Sequence, residues 1–287
     1  MLYLLIYLGC TLIFLQGLRY AQHRNARMMP VIAVNYATAA VVSVAYCLYD
    51  GVGTVSFDTN VIMIGIANGL LFLLSLFVLL ASYRMAGVSI TVAILNSSLI
   101  FPVVVAHLIW PDEEQMTIWR WIAIVLVPVT MFLIRPIQER RLQMTLKVNL
   151  TLLLLFVMAG MISVIHKIET KWFDTASQPD YQMYLFSTAA LGAAIYTVVR
   201  REWPACQEIS VGLVVGLGNA LSVVMILGAI TSIGAVMSLT LASPLTIILN
   251  LMISWWLWRE RLTSCQSVGV VMAIAIVILT NIPTPNQ

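Results

Sequence analysis

Gly65-Ile66-Ala67-Asn68-Gly69 and Gly212-Leu213-Val214-Val215-Gly216 are one pentad met twice, at an offset of 147 (65 to 212). The same offset pairs Ser75 with Ser222, Gly87 with Gly234 and Glu113 with Glu260, without a gap. Glycines four apart share one helical face, where two absent side chains let a neighbouring backbone approach closely in lipid. Gly65, Gly69, Gly212 and Gly216 are therefore expected to be helix-packing positions. Two repeats with an odd number of spans each must enter a bilayer in opposite senses, which is the usual build of secondary transporters.

The solvent follows from composition. Of 287 residues, 61% are hydrophobic and 9% charged, whereas a soluble domain carries roughly a quarter charged. Residues 1–287 are expected to form a single membrane domain. Apolar runs long enough to cross about 30 Å of hydrocarbon number ten. They lie near 2–18, 30–49, 61–83, 87–109, 118–134, 149–166, 181–199, 209–230, 233–257 and 266–282. The long run from 61 to 109 is split at Gly87, a helix-ending residue, and its mate at Gly234. The expected fold is all-α and integral to the membrane, with ten transmembrane helices as two inverted five-helix repeats. Residues 1–135 form the first repeat, 136–148 a cationic linker and 149–287 the second repeat.

Orientation comes from the basic residues, since Lys and Arg flanking a span resist translocation. Of the fifteen, only Arg120, Lys167 and Lys171 fall in loops after even-numbered spans; the other twelve follow odd-numbered ones. Both termini are therefore expected outside, in a bacterial inner (plasma) membrane. The net charge of +3 is topological and implies no nucleic-acid partner. No basic residue precedes the first span, which is expected to be retained and not cleaved as a signal peptide.

Two stretches carry a family resemblance: Ser243-Pro244, and Trp255-Trp256-Leu257-Trp258-Arg259-Glu260-Arg261-Leu262-Thr263 ahead of an apolar span through Gly269. This resembles the end of an EamA-type repeat in the drug/metabolite transporter superfamily, where a proline in the fourth helix of each half precedes a Glu-Arg-Leu-Thr turn. Pro244 and Glu260 match that motif. In the first half Ser97 stands where the proline belongs, and Asp112-Glu113-Glu114-Gln115-Met116 replaces the turn. The resemblance implies a ten-helix basket around a central cavity, carrying small metabolites such as amino acids, nucleosides, nucleotide sugars, choline or drugs. Family members usually keep both termini in the cytoplasm, opposite to what the basic residues here indicate.

Polar residues inside a span are expensive unless they face the bundle interior or a wet cavity, so they point to a pathway. The candidates for contact with a small-molecule substrate are Gln16, Asn35, Tyr36, Asn68, Asn96, Ser97 and His107 in the first half. In the second they are Tyr184, Asn219, Ser238, Ser243 and Asn250. Asn96 and Ser97 are mates of Ser243 and Pro244, midway along the fourth and ninth spans, and are the first choice. No Asp or Glu falls in the middle of a span, which argues against a stored proton on a buried carboxylate. His107 is the titratable candidate of the fourth span.

Three histidines without paired ligand spacing, no nucleophile elbow and no phosphate-binding glycine loop leave neither an enzyme, a metal nor a cofactor to expect. The expected partners are a small solute and the lipid bilayer. The function these residues point to is a multi-pass transporter that moves a small polar metabolite (an amino acid, nucleoside, amine or similar) by alternating access. The rival is a channel-like or non-transporting membrane subunit.

Overall fold

The computed structural model describes residues 2–49, 58–98, 100–109, 117–134, 142–173, 177–233, 235–259 and 262–280. The regular elements among these residues are helices: α1 (Leu2–His23), α2 (Met28–Tyr49), α3 (Thr59–Ala86), α4 (Val88–Ser97), α5 (Ile100–Ile109) and α6 (Ile118–Ile134). There follow α7 (Leu142–Trp172), α8 (Gln178–Arg200), α9 (Cys206–Ile233), α10 (Ala235–Trp258) and α11 (Ser264–Thr280). By length and composition six are able to cross a membrane: α1, α2, α3, the Leu146–His166 part of α7, α8, and the Cys206–Ile226 part of α9. Shorter apolar stretches run over Pro244–Trp258 and Ser267–Leu279. Their outward faces are apolar too; Val41, Val125, Leu191 and Val271 are all more than 60% exposed. Contiguous apolar surface on that scale is stable against lipid rather than water. The chain is an all-helical membrane-embedded protein with several spans.

Helix ends fall where the backbone can turn. Gly87 adopts φ 84° between α3 and α4, a conformation that costs a side-chain-bearing residue about 1 kcal/mol or more. Its N–H closes on Tyr83 O at 3.1 Å, and Thr91 N–H returns to Gly87 O at 3.3 Å. Gly234, its repeat mate, lies outside the described residues, as do Glu113 and Glu260.

The expected fourth span, 87–109, is two helices. Asn96 Nδ2 donates to Val92 O (2.8 Å), Ser97 Oγ to Ala93 O (2.9 Å) and Ser98 Oγ to Leu95 O (2.6 Å). Three successive side chains thus bond back onto their own helix, and the last takes Leu95 O, a carbonyl of the turn that would follow; side-chain back-bonding of this kind weakens and bends helices. Phe101 N–H then bonds Ser98 O at 2.9 Å, and α5 begins. At the mate position Pro244 lies inside an uninterrupted α10. The half with the proline keeps its helix; the half with the serines breaks it.

The sixth expected span is longer than its apolar run. α7 begins at Leu142, within the segment read as linker, and continues to Trp172, past the expected end at 166.

Two compact units divide the chain. One comprises residues 1–74 and 165–229, the other 75–164 and 230–287, so each draws on both sequence halves. In the first, the main seam joins α2 to α8; in the second, α6 to α11, with α4 against α10 and α11. Each of the pairs α2/α8, α6/α11 and α4/α10 couples a helix with its repeat mate. The core of the second unit gathers Ile90, Ala93 and Ile94 of α4 with Ala123 of α6, Leu152 and Phe156 of α7, Ile247 of α10 and Ala273 and Ile276 of α11. Phe101 seats its ring edge-on to Phe156, centroids 5.8 Å apart, and covers Gly160, where a Cβ would come within 2.6 Å of the Phe101 side chain.

Candidate functional site

In the first unit the paired glycines set the spacing between helices. A Cβ on Gly65 would fall 2.7 Å from Tyr184 Cβ and 3.3 Å from Tyr181 O. On Gly69 it would collide with Leu185 O and lie 2.8 Å from Thr188 Cβ. The other pair repeats this on α2: a Cβ on Gly212 would fall 2.6 Å from Val34 Cβ and 3.0 Å from Val31 O, and one on Gly216 2.6 Å from both Asn35 O and Thr38 Cβ. Residues 31, 34, 35 and 38 stand in the same places as 181, 184, 185 and 188, at a constant offset of 150 (31 to 181). The glycines keep 147, so the connections before them absorb a three-residue difference. α3 of the first half therefore seats on α8 of the second, and α9 of the second on α2 of the first.

Close approach brings polar side chains together that lie far apart in sequence. Asn68, fully buried on α3 between the two glycines, donates from Nδ2 to the Tyr181 hydroxyl of α8. That hydroxyl lies 3.3 Å from His166 Nδ1 on α7. The His166 ring stands edge-on to Tyr181 and to Phe72, with centroids at 5.6 and 6.0 Å, and Phe72 is edge-on to Phe186 at 6.1 Å. Tyr36 of α2 donates its hydroxyl to Phe72 O at 2.9 Å. Asn219 Nδ2 reaches Asn35 Oδ1 at 3.4 Å. Four helices are joined through residues 36, 68, 72, 166 and 181.

Several groups here are buried without a partner among the described residues: Asn35 Nδ2, Asn68 Oδ1, Gln182 Oε1 and Glu169 Oε1. Buried polar atoms are rarely left so, and each costs on the order of 1–3 kcal/mol. Glu169 matters most among them. It is 3% exposed, one turn beyond His166 on α7 and three residues past the Leu146–His166 span. Desolvation pushes its carboxyl up to about 7, because burial disfavours the charged form. Nearer the ends of the unit, Cys47 Sγ lies 3.1 Å from Asp180 Oδ1. Arg27, in the α1–α2 connection, grips Glu208 of α9 through Nε (2.9 Å), Nη2 (2.8 Å) and its backbone N–H (3.1 Å).

Of the residues singled out in the sequence, Asn35, Tyr36, Asn68 and Asn219 join this buried network, and Gln16 is buried on α1. Tyr184 is half-buried on α8 over Gly65. Asn96 and Ser97 belong to the second unit and bond to their own helix. His107 is half-buried in the last turn of α5, and Asn250 is fully buried in α10. The side chains of Ser238 and Ser243 lie outside the described residues. Tyr181 and Glu169 were not among the sequence candidates, nor was His166; the apolar run that defines the sixth span stops at 166, which leaves Glu169 beyond it. A usable signal was the absence of Gly or Pro between His166 and Trp172, which lets α7 carry Glu169 into the protein. No group of His, Cys, Asp and Glu with metal-holding geometry occurs among the described residues.

Thirteen solved chains match this fold. One, described only as "Crystal structure of protein", superposes with a TM-score of 0.63 at 15% identity, over 97% of this chain and 96% of that one. At that identity the likeness is one of fold. No family model matches the sequence, and no curated protein matches it.

Proposed function

We propose that this protein is a secondary transporter of the drug/metabolite, EamA-like type, passing a small polar metabolite by alternating access between two inverted five-helix repeats of ten spans. One observation carries the reading. The glycine seams of α3 on α8 and of α9 on α2 meet the same four kinds of atom, at constant offsets of 147 and 150. Two seams of that kind are what a two-fold axis in the membrane plane generates. Inverted repeats in lipid are the architecture in which one repeat rocks against the other around a fixed site. The buried amides in the α3–α8 and α9–α2 seams, Asn68 in one and Asn35 with Asn219 in the other, give that motion polar ground to work on. Asn96 and Ser97, at the break between α4 and α5, are the proposed substrate contacts of the second unit. The pattern of basic residues supports both termini lying outside, and we place the protein in a bacterial inner membrane.

The test is flux in proteoliposomes, with a pooled probe of amino acids, nucleosides and small amines. Saturable uptake that unlabelled probe competes is the expected result. Ohmic current without saturation would instead indicate a channel, and no flux of either kind a non-transporting subunit. Terminal tags should label on intact cells; labelling only after permeabilisation would reverse the orientation.

A further inference from the structure

We propose that Glu169 is a proton-binding site of this chain, served by the hydrogen-bonded row His166, Tyr181 and Asn68 that ties α7 to α8 and α3. The coupling of that proton to solute movement rests on the transport reading; the site itself does not.

The argument begins with burial. Glu169 is almost fully enclosed by protein, and its Oε1 is accessible to neither water nor a donor among the described residues. An ionised Oε1 in that position would meet no donor among the described residues. A neutral acid needs no counter-ion and brings its own donor. Protonation forms one O–H bond on the carboxylate, with a proton drawn from the aqueous side; release breaks the same bond, and nothing is oxidised or reduced. Burial also places the carboxyl at about 7, within reach of ordinary pH on both sides of a membrane.

The neighbours decide which group takes the proton. On α7, His166 lies three residues before Glu169, on the adjoining face. Tyr181 oxygen accepts from Asn68 Nδ2 and lies 3.3 Å from His166 Nδ1; in the tautomer with the imidazole proton on Nε2, the Tyr181 O–H donates to Nδ1. An added proton on Nδ1 would displace the Tyr181 hydrogen from its acceptor. Besides Tyr181, α8 carries Asp180, held against Cys47 of α2, and Tyr184, with Tyr196 and Arg200 toward its other end. Residues 59–74 of α3 contain none, and α2 carries Tyr36, committed to Phe72 O, with Tyr46, Cys47 and Tyr49 toward its C-terminal end. The side chains of Lys167 and Lys171 lie outside the described residues. Glu169 is thus the group with an oxygen to spare.

The experiment uses the full chain in lipid bilayers. Infrared difference spectra between about pH 5 and 9 should show a protonated-carboxyl carbonyl band lost with a midpoint near 7. The band should be absent in Glu169→Gln and shifted in Tyr181→Phe. Glu169→Asp should retain a titrating band, and it serves if the amide variant fails to assemble. With the pooled amino acid, nucleoside and amine probe, wild-type uptake should vary by up to about tenfold per pH unit in the same window, and Glu169→Gln should be flat. A wild-type band that survives in Glu169→Gln, or a midpoint at the ordinary glutamate value, overturns the site. An intact, Glu169-dependent band with no saturable uptake sinks the transport reading and leaves the proton site standing.

Discussion

In the unit of residues 1–74 and 165–229, buried amides and phenols reach across helices; in the unit of 75–164 and 230–287, the side chains of Thr91, Asn96, Ser97, Ser98, Ser163 and Thr246 bend back onto the helix that carries them. The first arrangement makes packing and polar satisfaction one problem: Asn68 finds Tyr181 only because Gly65 and Gly69 let α8 come close. In the second, these side chains make their hydrogen bonds with their own helix, and the core around Ile94 and Phe156 is built of apolar groups. A unit of the first kind loses several contacts at once when one seam opens. A unit of the second kind can let one helix give locally, as α4 does at Ser98, with the rest of its core in place.

The largest effect should come from filling a seam. Gly69→Ala places a Cβ against Leu185 O and Thr188 Cβ, and overpacking of this sort costs about 1–3 kcal/mol or more. Gly9→Ala on α1, where nothing lies within 4 Å, should be neutral or slightly favourable. Unfolding of the two variants in mixed detergent, against wild type, measures the difference. Equal stability of Gly69→Ala and Gly9→Ala would remove the close seam on which the contrast depends.

Next in size is the pH dependence of the first unit. With a folded-state value near 7 against 4.5 for an ordinary carboxyl, Glu169 binds its proton more tightly folded than unfolded. Its favourable contribution is therefore present in full below pH 4.5 and is lost as pH rises through 7. The slope is at most about 1.4 kcal/mol per pH unit. Thermal unfolding from pH 4.5 to 8 should show wild type declining more steeply than Glu169→Gln. A slope unchanged in the variant would mean that another group carries it.

A smaller loss is expected for Tyr181→Phe, which strips the acceptor from Asn68 and the hydroxyl beside His166. Polar bonds between helices in membranes average about 0.6 kcal/mol and reach about 1.7; an orphaned amide puts this one toward the upper end. The double variant Asn68→Ala/Tyr181→Phe should cost less than the sum of the singles, the sign of direct coupling. Additive losses would mean that the two side chains act independently.

The multi-span helical character was legible because it rests on run length and composition, which lipid imposes directly. Gly87 could be read as a turn because one residue suffices to make it. Two features could not be read. The end of α7 is decided by protein packing rather than hydropathy, so a polar stretch such as Lys167-Ile168-Glu169 resembles a loop while continuing a helix. The break at Ser98 coincides with three successive side-chain back-bonds, a local geometry that residue types alone do not announce. Asn35, Asn68 and Asn219 stood out as expensive in lipid, yet nothing in the sequence pairs Asn68 with a tyrosine 113 residues away.

The smallest effect on stability, and the sharpest on function, belongs to Asn96→Ala. Its amide bonds Val92 O within its own helix, so removal leaves a carbonyl that the backbone N–H of residue 96 still serves. Loss within about 0.5 kcal/mol is expected, against the larger loss at Tyr181. If Asn96 contacts solute where α4 gives way to α5, the same substitution should abolish saturable uptake of the pooled probe while the folded yield holds. Unchanged uptake takes Asn96 out of the pathway. An uptake loss matched by an equal loss of folded protein would show that the second unit also depends on its polar side chains, and the contrast between the two units would fall with it.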